Sequence, residues 1–446
     1  MDTTYQADPV VGAARPRIVH AAIYLALLAA LPGTAHAYKL DYELGASLLH
    51  SDNIDLRDND PVSETILMPQ LRFDLEQTGS AVQMKLSGDV QYLDYLENTF
   101  DNEVRGDFNG RLNWSVLPER IDLVAEDFLS RQPINTLASF GPENQQQVNI
   151  FIGGPSFHAR FNPVTHGDLD LRYYNTYAEQ TEGFNGDRYS AAARLRRQLD
   201  SLSELSLNLE ATQAEYDDFG GLLDYTRYDG YLNYARTLTA GRLEVSLGQT
   251  RIESEDDSSV SKPYFDATAH WDATARSRFS VNLSHQLSDA TQDLVRLANQ
   301  VDDGPITGDP IELDLQIGPA IFQERYAQLG YRYTGERLTL QFQPSWQRLH
   351  YLDGLTQDQR TRSARFSLRY RLTTRLIASF MASKKVREFS DSGREDDDLV
   401  AGIGLVNEFT RHWAGRIDLK RRERDSNVVG RSYNENSIAL TFIFRR

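Results

Sequence analysis

The chain has 446 residues and no cysteine; 40% of its residues are hydrophobic and 25% are charged. Without cysteine it has no disulfide framework, no thiolate metal site and no cysteine nucleophile. Its formal net charge of −17 argues against nucleic acid as a partner, because neutralising phosphates requires a basic surface. The 22 tyrosines and 20 phenylalanines are more than a disordered chain carries.

The first 37 residues follow the order of a secretory signal peptide. Arg15 and Arg17 precede an apolar run from Ala21 to Leu31, and the small-residue pattern Ala35-His36-Ala37 follows it. The run is too short for a membrane-spanning helix, which needs about 20 apolar residues. We therefore predict export with cleavage after Ala37, which assigns residues 1–37 to the signal peptide and 38–446 to the mature chain. An uncleaved anchor is the alternative.

The mature chain alternates apolar and polar residues with the period of a β-strand. In a strand, successive side chains point to opposite faces, so each such segment has one apolar face and one polar face. The last segment repeats the pattern of the first, with Ile438, Leu440, Phe442 and Phe444 on its apolar face. The apolar residues of the first segment are Tyr38, Leu40, Tyr42, Leu44, Ala46 and Leu48.

The connections between these segments alternate in length. Tight turns, such as Gln77–Ser80 and Leu117–Arg120, are separated by longer acidic or Gly- and Asn-rich stretches, such as Ser51–Glu64. Short turns at one end and long loops at the other are typical of barrels that cross the bacterial outer membrane. The sequence therefore predicts an all-β fold: a transmembrane antiparallel up-and-down β-barrel with short periplasmic turns and long extracellular loops. About 20 strands fit the chain, 18 being possible. A soluble solenoid, propeller or sandwich is the alternative architecture.

Four short patterns carry a resemblance to a known group of exported barrels. They are the first-strand ending His50-Ser51-Asp52-Asn53-Ile54, Pro69 on the second strand, the segment Asn149–Pro155, and Tyr433, Asn434 and Asn436 on the last strand. With these patterns the chain resembles the outer-membrane β-barrel proteins associated with exopolysaccharide biosynthesis and PEP-CTERM systems. The resemblance implies an outer-membrane export conduit encoded with polysaccharide machinery, and it supplies no catalytic residue. One departure is that Arg445 and Arg446 follow Phe444, whereas such barrels usually end on an aromatic residue.

The charge is divided unevenly along the chain. Residues 322–446 hold 23 Lys and Arg against 15 Asp and Glu, whereas the preceding residues hold 24 against 49. Many of the basic residues fall opposite the apolar faces, and because lipid excludes charge we predict that they line the pore. These candidates are Arg172, Arg194, Arg196, Arg332, Arg365, Arg369, Arg371, Arg416, Lys420 and Arg422.

A basic wall facing a more acidic one suggests a function for the pore. Arginine side chains arranged around a pore favour the passage of anions. The ten basic residues are therefore interpreted as low-affinity stepping sites for an anionic or polar polymer. The competing interpretation is that these charges pair across strands and hold the barrel in shape. We predict a porin-like passive conduit for polysaccharide or other polar and anionic solutes. The alternative function is a structural barrel that docks an envelope or surface-polysaccharide assembly without transport.

The chain offers little for catalysis. No two histidines of the mature chain have helical metal-ligand spacing, and none stands beside a Gly-flanked serine. We therefore predict no enzyme, no catalytic residue, no metal site and no cofactor. The acidic run Glu395–Asp398 lacks the glycine and spacing of a calcium loop, and it is interpreted as part of a solvated loop.

The one large insert is the stretch Ser288–Phe322. Its residues Ala290–Asn299 have the apolar spacing of a short amphipathic helix. This insert either folds over or into the mouth of the barrel and gates it, or forms an external loop among surface sugars. The expected partners are outer-membrane lipid and lipopolysaccharide, together with the polysaccharide cargo and periplasmic export components that the resemblance implies. The sequence leaves the oligomeric state open.

Overall fold

The protein is described by a computed structural model over residues 38–218, 223–255, 258–300 and 316–446. The predicted signal peptide, residues 1–37, lies outside the described residues. The described chain holds twenty antiparallel strands, and β1 pairs with β20 so that the sheet closes into a barrel. The strands are β1 (Tyr38–Ser51), β2 (Glu64–Thr78), β3 (Val82–Tyr95), β4 (Glu103–Leu117), β5 (Ile121–Pro133), β6 (Gln145–Asn162), β7 (Thr165–Ala178), β8 (Gly186–Gln198), β9 (Ser203–Tyr216), β10 (Tyr225–Leu238), β11 (Gly241–Ser254), β12 (Ser259–Thr274), β13 (Ser277–Ser288), β14 (Phe322–Thr334), β15 (Leu338–Tyr351), β16 (Gln359–Arg371), β17 (Leu376–Phe389), β18 (Arg394–Glu408), β19 (Trp413–Ser426) and β20 (Tyr433–Arg445).

The connections confirm the predicted alternation of short turns and long loops. Residues 79–81, 163–164 and 239–240 form tight turns at one end of the barrel, and residues 52–63 and 134–144 form loops at the other. Two 3-10 turns, Pro142–Asn144 and Glu182–Phe184, and helix α1 (Ala290–Gln300) lie within the long loops. Among the described residues, no helix is long and apolar enough to cross a membrane. The predicted fold class and the count of 20 strands are confirmed.

The pairing register assigns one face of the sheet to the outside and the other to the lumen. Leu340 pairs with Leu368, which pairs with Phe380, so these three apolar side chains share a face. Helix α1 identifies the opposite face, because it packs against both β5–β7 and β14–β15, which lie on opposite walls. Only an element inside a closed barrel contacts both walls. The apolar face is therefore the outer one, and its large side chains, such as Leu247 at 57% exposure, face lipid.

Adjacent residues on β16 offer a direct test of this assignment. Arginine in place of Phe366, on the lipid-facing side, should cost about 2–4 kcal/mol near the middle of the membrane. Arginine in place of Ser367, which faces the lumen, should be tolerated far better. The fraction of heat-modifiable, folded protein in purified outer membranes measures both effects. Equal assembly of the two variants would contradict the assigned faces.

One carboxylate departs from the apolar character of the outer face. Asp127 points outward near the middle of β5, yet it is only 3% exposed. Asn149 on β6 donates a hydrogen bond of 2.6 Å from Nδ2 to Asp127 Oδ1. Hydrogen bonding of this kind offsets the cost of burying a polar group, so the strand tolerates an acid here. The segment Asn149–Pro155, one basis of the family resemblance, thus begins with the partner of Asp127.

Two hairpins leave the wall of the barrel near its extracellular end. Strand β5 pairs with β4 only up to Leu129, although it stays paired with β6 as far as Pro133. Strand β13 likewise pairs with β12 only up to His285 but continues beside β14 to Ser288. Leu287 beyond this point is fully buried in a cluster with residues of β9, β10 and β11. These two hairpins carry the two loops that enter the lumen.

Candidate functional site

The register places all ten predicted basic residues on the lumen face. Many of them are held by neighbouring side chains of the wall. The ion pairs join Arg172 to Asp170, Arg196 to Asp168, Arg416 to Asp418 and Arg422 to Glu435, at 2.6 to 3.3 Å. Arg194 donates from Nε to Asn208 Oδ1 at 2.8 Å, and Arg332 and Lys420 also interact with their surroundings. Most of the basic wall is therefore tied to its own strands. The ten residues by strand are Arg172 on β7, Arg194 and Arg196 on β8, Arg332 on β14, Arg365, Arg369 and Arg371 on β16, and Arg416, Lys420 and Arg422 on β19.

The three arginines of β16 differ from the others. Within the described residues, the side chains of Arg365, Arg369 and Arg371 form no ion pair and no hydrogen bond. The neighbouring strand β15 presents only uncharged residues to the lumen, so no carboxylate lies directly opposite them on that side. At about 3.3 Å per residue, the three charges extend over roughly 20 Å from the periplasmic end of the strand. They form a line of free cations along the lower pore.

Helix α1 confirms the amphipathic helix predicted over Ala290–Asn299 and extends one residue beyond it. Asp289 caps its N-terminus, because Asp289 Oδ1 accepts a hydrogen bond of 3.1 Å from the backbone N–H of Gln292. The apolar stripe of the helix buries Ala290 and Leu294 against both walls of the barrel. The partners in this cluster include Phe128, Ile150, Phe322 and Leu349. The described part of the insert, which contains this helix, therefore lies in the lumen.

A buried ion pair fixes the beginning of the helix to β8. Arg188 Nη1 donates to Asp289 Oδ2 at 2.8 Å, and these two residues are 4% and 2% exposed. Tyr225 on β10 donates from its hydroxyl to the same carboxylate oxygen, and Arg188 also donates to the hydroxyl of Tyr216. Burial alone would raise the pKa of Asp289, but the charge of Arg188 and these hydrogen bonds hold it below its ordinary value. The carboxylate therefore stays ionised and keeps the pair intact.

A second charged cluster fixes the middle of the helix to β14. Arg296 makes two hydrogen bonds to Glu324, of 2.8 and 2.9 Å, and a contact of 3.2 Å to Asp293 Oδ1. Gln286 and Gln347 also donate to Glu324. Burial and the nearby charge of Glu324 raise the pKa of Asp293 to about 7, because Arg296 is shared between two carboxylates. One group of this cluster therefore titrates near neutral pH.

The loop of residues 134–144 connects the helix insert to the wall formed by β17 and β18. Gln316, which follows the helix insert, donates from Nε2 to the carbonyl of Ile134 at 2.9 Å. Across the lumen, Arg394 on β18 donates to the carbonyl of Leu137 at 2.7 Å, and Arg387 on β17 donates to that of Thr136. A continuous set of contacts therefore runs from β8, through helix α1 and this loop, to β18. It narrows the extracellular half of the pore.

The interpretation of the acidic run Glu395–Asp398 as part of a solvated loop is wrong. The run lies on strand β18 and not in a solvated loop. Asp396 and Asp398 face the lumen, where they pair with Arg394, Arg387 and Arg424 at 2.6 to 3.1 Å. Glu395 and Asp397 alternate with them on the outer face. The partners of the inward carboxylates are Arg394 on the same strand, Arg387 on β17 and Arg424 on β19.

Sequence reasoning missed the residues that anchor the helix. Arg188 stands on a polar face like the predicted pore arginines, and Asp293 and Arg296 have the spacing of a helical ion pair. These signals mark the residues as charged but do not connect them, because Arg188 and Asp289 are distant in sequence. The capping pattern of an acidic residue directly before a predicted helix was the one signal that could have selected Asp289.

One family model and several solved structures are similar to this chain. Residues 357–446 match the family described as "Putative beta-barrel porin 2". Among solved structures, OccK2 (OpdF) of Pseudomonas aeruginosa aligns at 12% identity and a TM-score of 0.39, over 91% of this chain and 98% of that one. A loop-deletion mutant of OmpT of Vibrio cholerae aligns at 10% identity and a TM-score of 0.35, over 93% and 100%. The copper transporter OprC aligns at 11% identity and a TM-score of 0.45, over 91% and 80%. No curated protein matches the sequence.

The closed barrel, its lipid-facing outer surface and its polar lumen define a class of protein. The chain is a porin-like β-barrel of the bacterial outer membrane. The lumen, with its free arginines below and its helix and loop above, is the part of the molecule that any transported solute would meet.

Proposed function

We propose that the protein is a passive channel for polar and anionic solutes, narrowed by helix α1 and the loop of residues 134–144. The observation that supports this most is the line of free cations Arg365, Arg369 and Arg371 on β16. Side chains that only stabilise a wall are paired with it, as Arg416 is with Asp418. Unpaired lumen cations instead leave their charge available to a passing anion.

An acidic polysaccharide is the cargo class we favour, with export as its direction. Both rest on the resemblance to barrels of exopolysaccharide systems. A repeating carboxylate polymer would exchange successive charges along the three arginines, which lie roughly two and four residues apart on one strand. A short acidic oligosaccharide added to one side of a bilayer should therefore reduce the ionic current more than a neutral oligosaccharide of equal length. If the two oligosaccharides reduce the current equally, the proposal of an acidic cargo is wrong, but the proposal of a channel is unaffected.

Neutralising the three arginines should reduce the preference of the pore for anions. The variant R365Q/R369Q/R371Q removes three free positive charges from the lower lumen, so its reversal potential in a KCl gradient should move toward cation selectivity. The matched control is R416Q/D418N, which removes a paired charge of each sign from the lumen and should leave selectivity unchanged. Unaltered selectivity in the triple variant would show that these arginines are not solute sites.

A second function is favoured by a different observation. The contacts that cross the lumen end at buried ion pairs on both walls, Arg188–Asp289 at β8 and Arg394–Asp396 within β18. Burying ion pairs costs free energy, which a segment that only narrows a pore does not need. A barrel that is permanently filled would serve as a structural platform for an envelope assembly. Planar-bilayer recordings separate the two functions. Measurable conductance of the wild-type protein supports the channel, and its absence both from the wild type and from a variant lacking residues 290–315 supports the platform.

A further inference from the structure

A row of basic side chains crosses the outer face of four adjacent strands at the loop end of the barrel. In the register His285 on β13 pairs with Arg325 on β14, which pairs with Arg348 on β15, which pairs with Arg360 on β16. All four residues alternate with lumen-facing neighbours and therefore point away from the pore. Arg362, two residues further along β16, points the same way, and the four arginines are exposed.

The charges of this row are poorly compensated. Within the described residues, the side chains of Arg325 and Arg348 form no ion pair and no hydrogen bond. Arg360 and Arg362 share a single carboxylate, that of Glu388 on β17. Like charges directly opposite each other on paired strands are destabilising, so three adjacent arginines weaken the sheet unless something else neutralises them.

The row lies at the upper boundary of the apolar band. Ten residues separate Arg348 from Leu338 at the periplasmic end of β15, which corresponds to roughly 25 Å of height for a strand tilted by about 40°. That height equals the apolar band of outer-membrane barrels. Trp346, two residues below Arg348 on the same face, is the residue type that favours the boundary between acyl chains and headgroups. The arginines therefore meet the headgroups of the outer leaflet.

Other outward charges at this end of the barrel are arranged differently. Arg251 on β11 pairs with Glu253 at 2.7 Å, and Arg421 on β19 pairs with Glu423 at 3.0 Å. On β8 and β9 the outward residues Asp187 and Glu215 are paired in the register, and both are acidic. Among the described outward charges at the loop end, the uncompensated cations therefore lie on the wall formed by β14–β16.

We propose that this row is a binding site for the phosphate groups of lipid A, the membrane anchor of lipopolysaccharide. The outer leaflet presents these phosphates at the height of the row, and the planar guanidinium group matches a phosphate with two parallel hydrogen bonds. Arg325 and Arg348 make the main contacts with the phosphates, and Arg360 and Arg362 lie beside them on β16. The lipid supplies the negatively charged partner that Arg325 and Arg348 lack among the described residues. The site is independent of any solute that the lumen carries.

The test uses the full mature chain in nanodiscs of neutral phospholipid, with lipid A bearing its phosphates as the probe. Native mass spectrometry or a titration measures the affinity. The variant R325Q/R348Q should weaken binding about tenfold relative to the wild type. The control R251Q removes an outward arginine that already has an acidic partner, and it should leave the affinity within about twofold.

A second measurement does not depend on any variant. Lipid A from which the phosphates have been removed should bind the wild-type protein about tenfold more weakly than the phosphorylated form. Heat-modifiable migration on gels confirms that each variant is folded before its affinity is compared. Equal affinity of the wild type for the two lipids, or equal binding of phosphorylated lipid A by the wild type and a folded R325Q/R348Q variant, would overturn the proposal.

Discussion

Replacing Arg188 with leucine is expected to open the pore. Arg188 holds the carboxylate of Asp289 at the start of helix α1, and both groups are buried. Removing one partner of a buried ion pair leaves an uncompensated charge and costs about 3–5 kcal/mol. The apolar contacts of one short helix cannot easily offset that cost, so the helix should leave its site between the two walls. Single-channel conductance in a planar bilayer should rise above that of the wild type.

A compensating variant separates this mechanism from general damage. In R188L/D289S the buried charge is removed together with its partner, while serine still caps the helix. This double variant should keep the helix in place and conduct like the wild type. Gel mobility before and after heating confirms that both barrels are closed. If R188L conducts like the wild type, either helix α1 does not narrow the pore or Arg188 does not hold the helix in place.

Acidification is expected to close the channel further. The pKa of Asp293 is raised to about 7 in the docked helix, whereas a solvated aspartate titrates near 4. Between these values the docked helix binds a proton that the released helix does not, so docking is strengthened as the pH falls through about 7. Above that range the ionised, buried carboxylate disfavours docking. Conductance should therefore decrease between about pH 8 and about pH 5.

The variant D293N isolates the group responsible. Asparagine has no charge at any pH, so the conductance of D293N should be low throughout and should lose its dependence on pH in this range. The other charges around the site are Asp289, Arg188, Arg296, Glu324 and, on β12, Asp266. Arg188 keeps the pKa of Asp289 below its ordinary value, so that carboxylate contributes only at more acidic pH. If D293N retains the full pH response, Asp293 is not the group that titrates.

Much of the barrel could be predicted because the lipid restricts the sequence. Where a strand such as β16 crosses the apolar band, every second residue must be apolar, so charges such as Arg365 and Arg369 alternate with residues such as Phe366 and Leu368. A period of two, together with short and long connections, therefore determines strand number, faces and orientation. The sequence also placed helix α1 correctly, because its apolar spacing is local information.

The arrangement inside the lumen could not be predicted in the same way. Whether Arg188 meets Asp289 depends on the path of a long loop across an aqueous interior, where polar and charged residues are all tolerated. Alternation identifies Arg172 and Arg365 equally as lumen residues, but only the structure shows that Arg172 is paired and that Arg365 has no ion pair with any described residue. The charge density of the acidic run around Asp396 obscures the period of two, so the sequence alone favours a loop where the structure has strand β18.

Helix α1 also has a mechanical consequence. A wide, hollow cylinder of single-layer sheet resists bending along its strands but deforms readily from a circular to an oval outline. The helix ties β8 through Arg188, β14 through Arg296 and β4 through the hydrogen bond from Asn109 to the carbonyl of Ala298. These three attachment points lie around the circumference, so the helix acts as an internal strut that keeps opposite walls at a fixed separation. Releasing it would change the outline of the whole cylinder as well as the width of its opening.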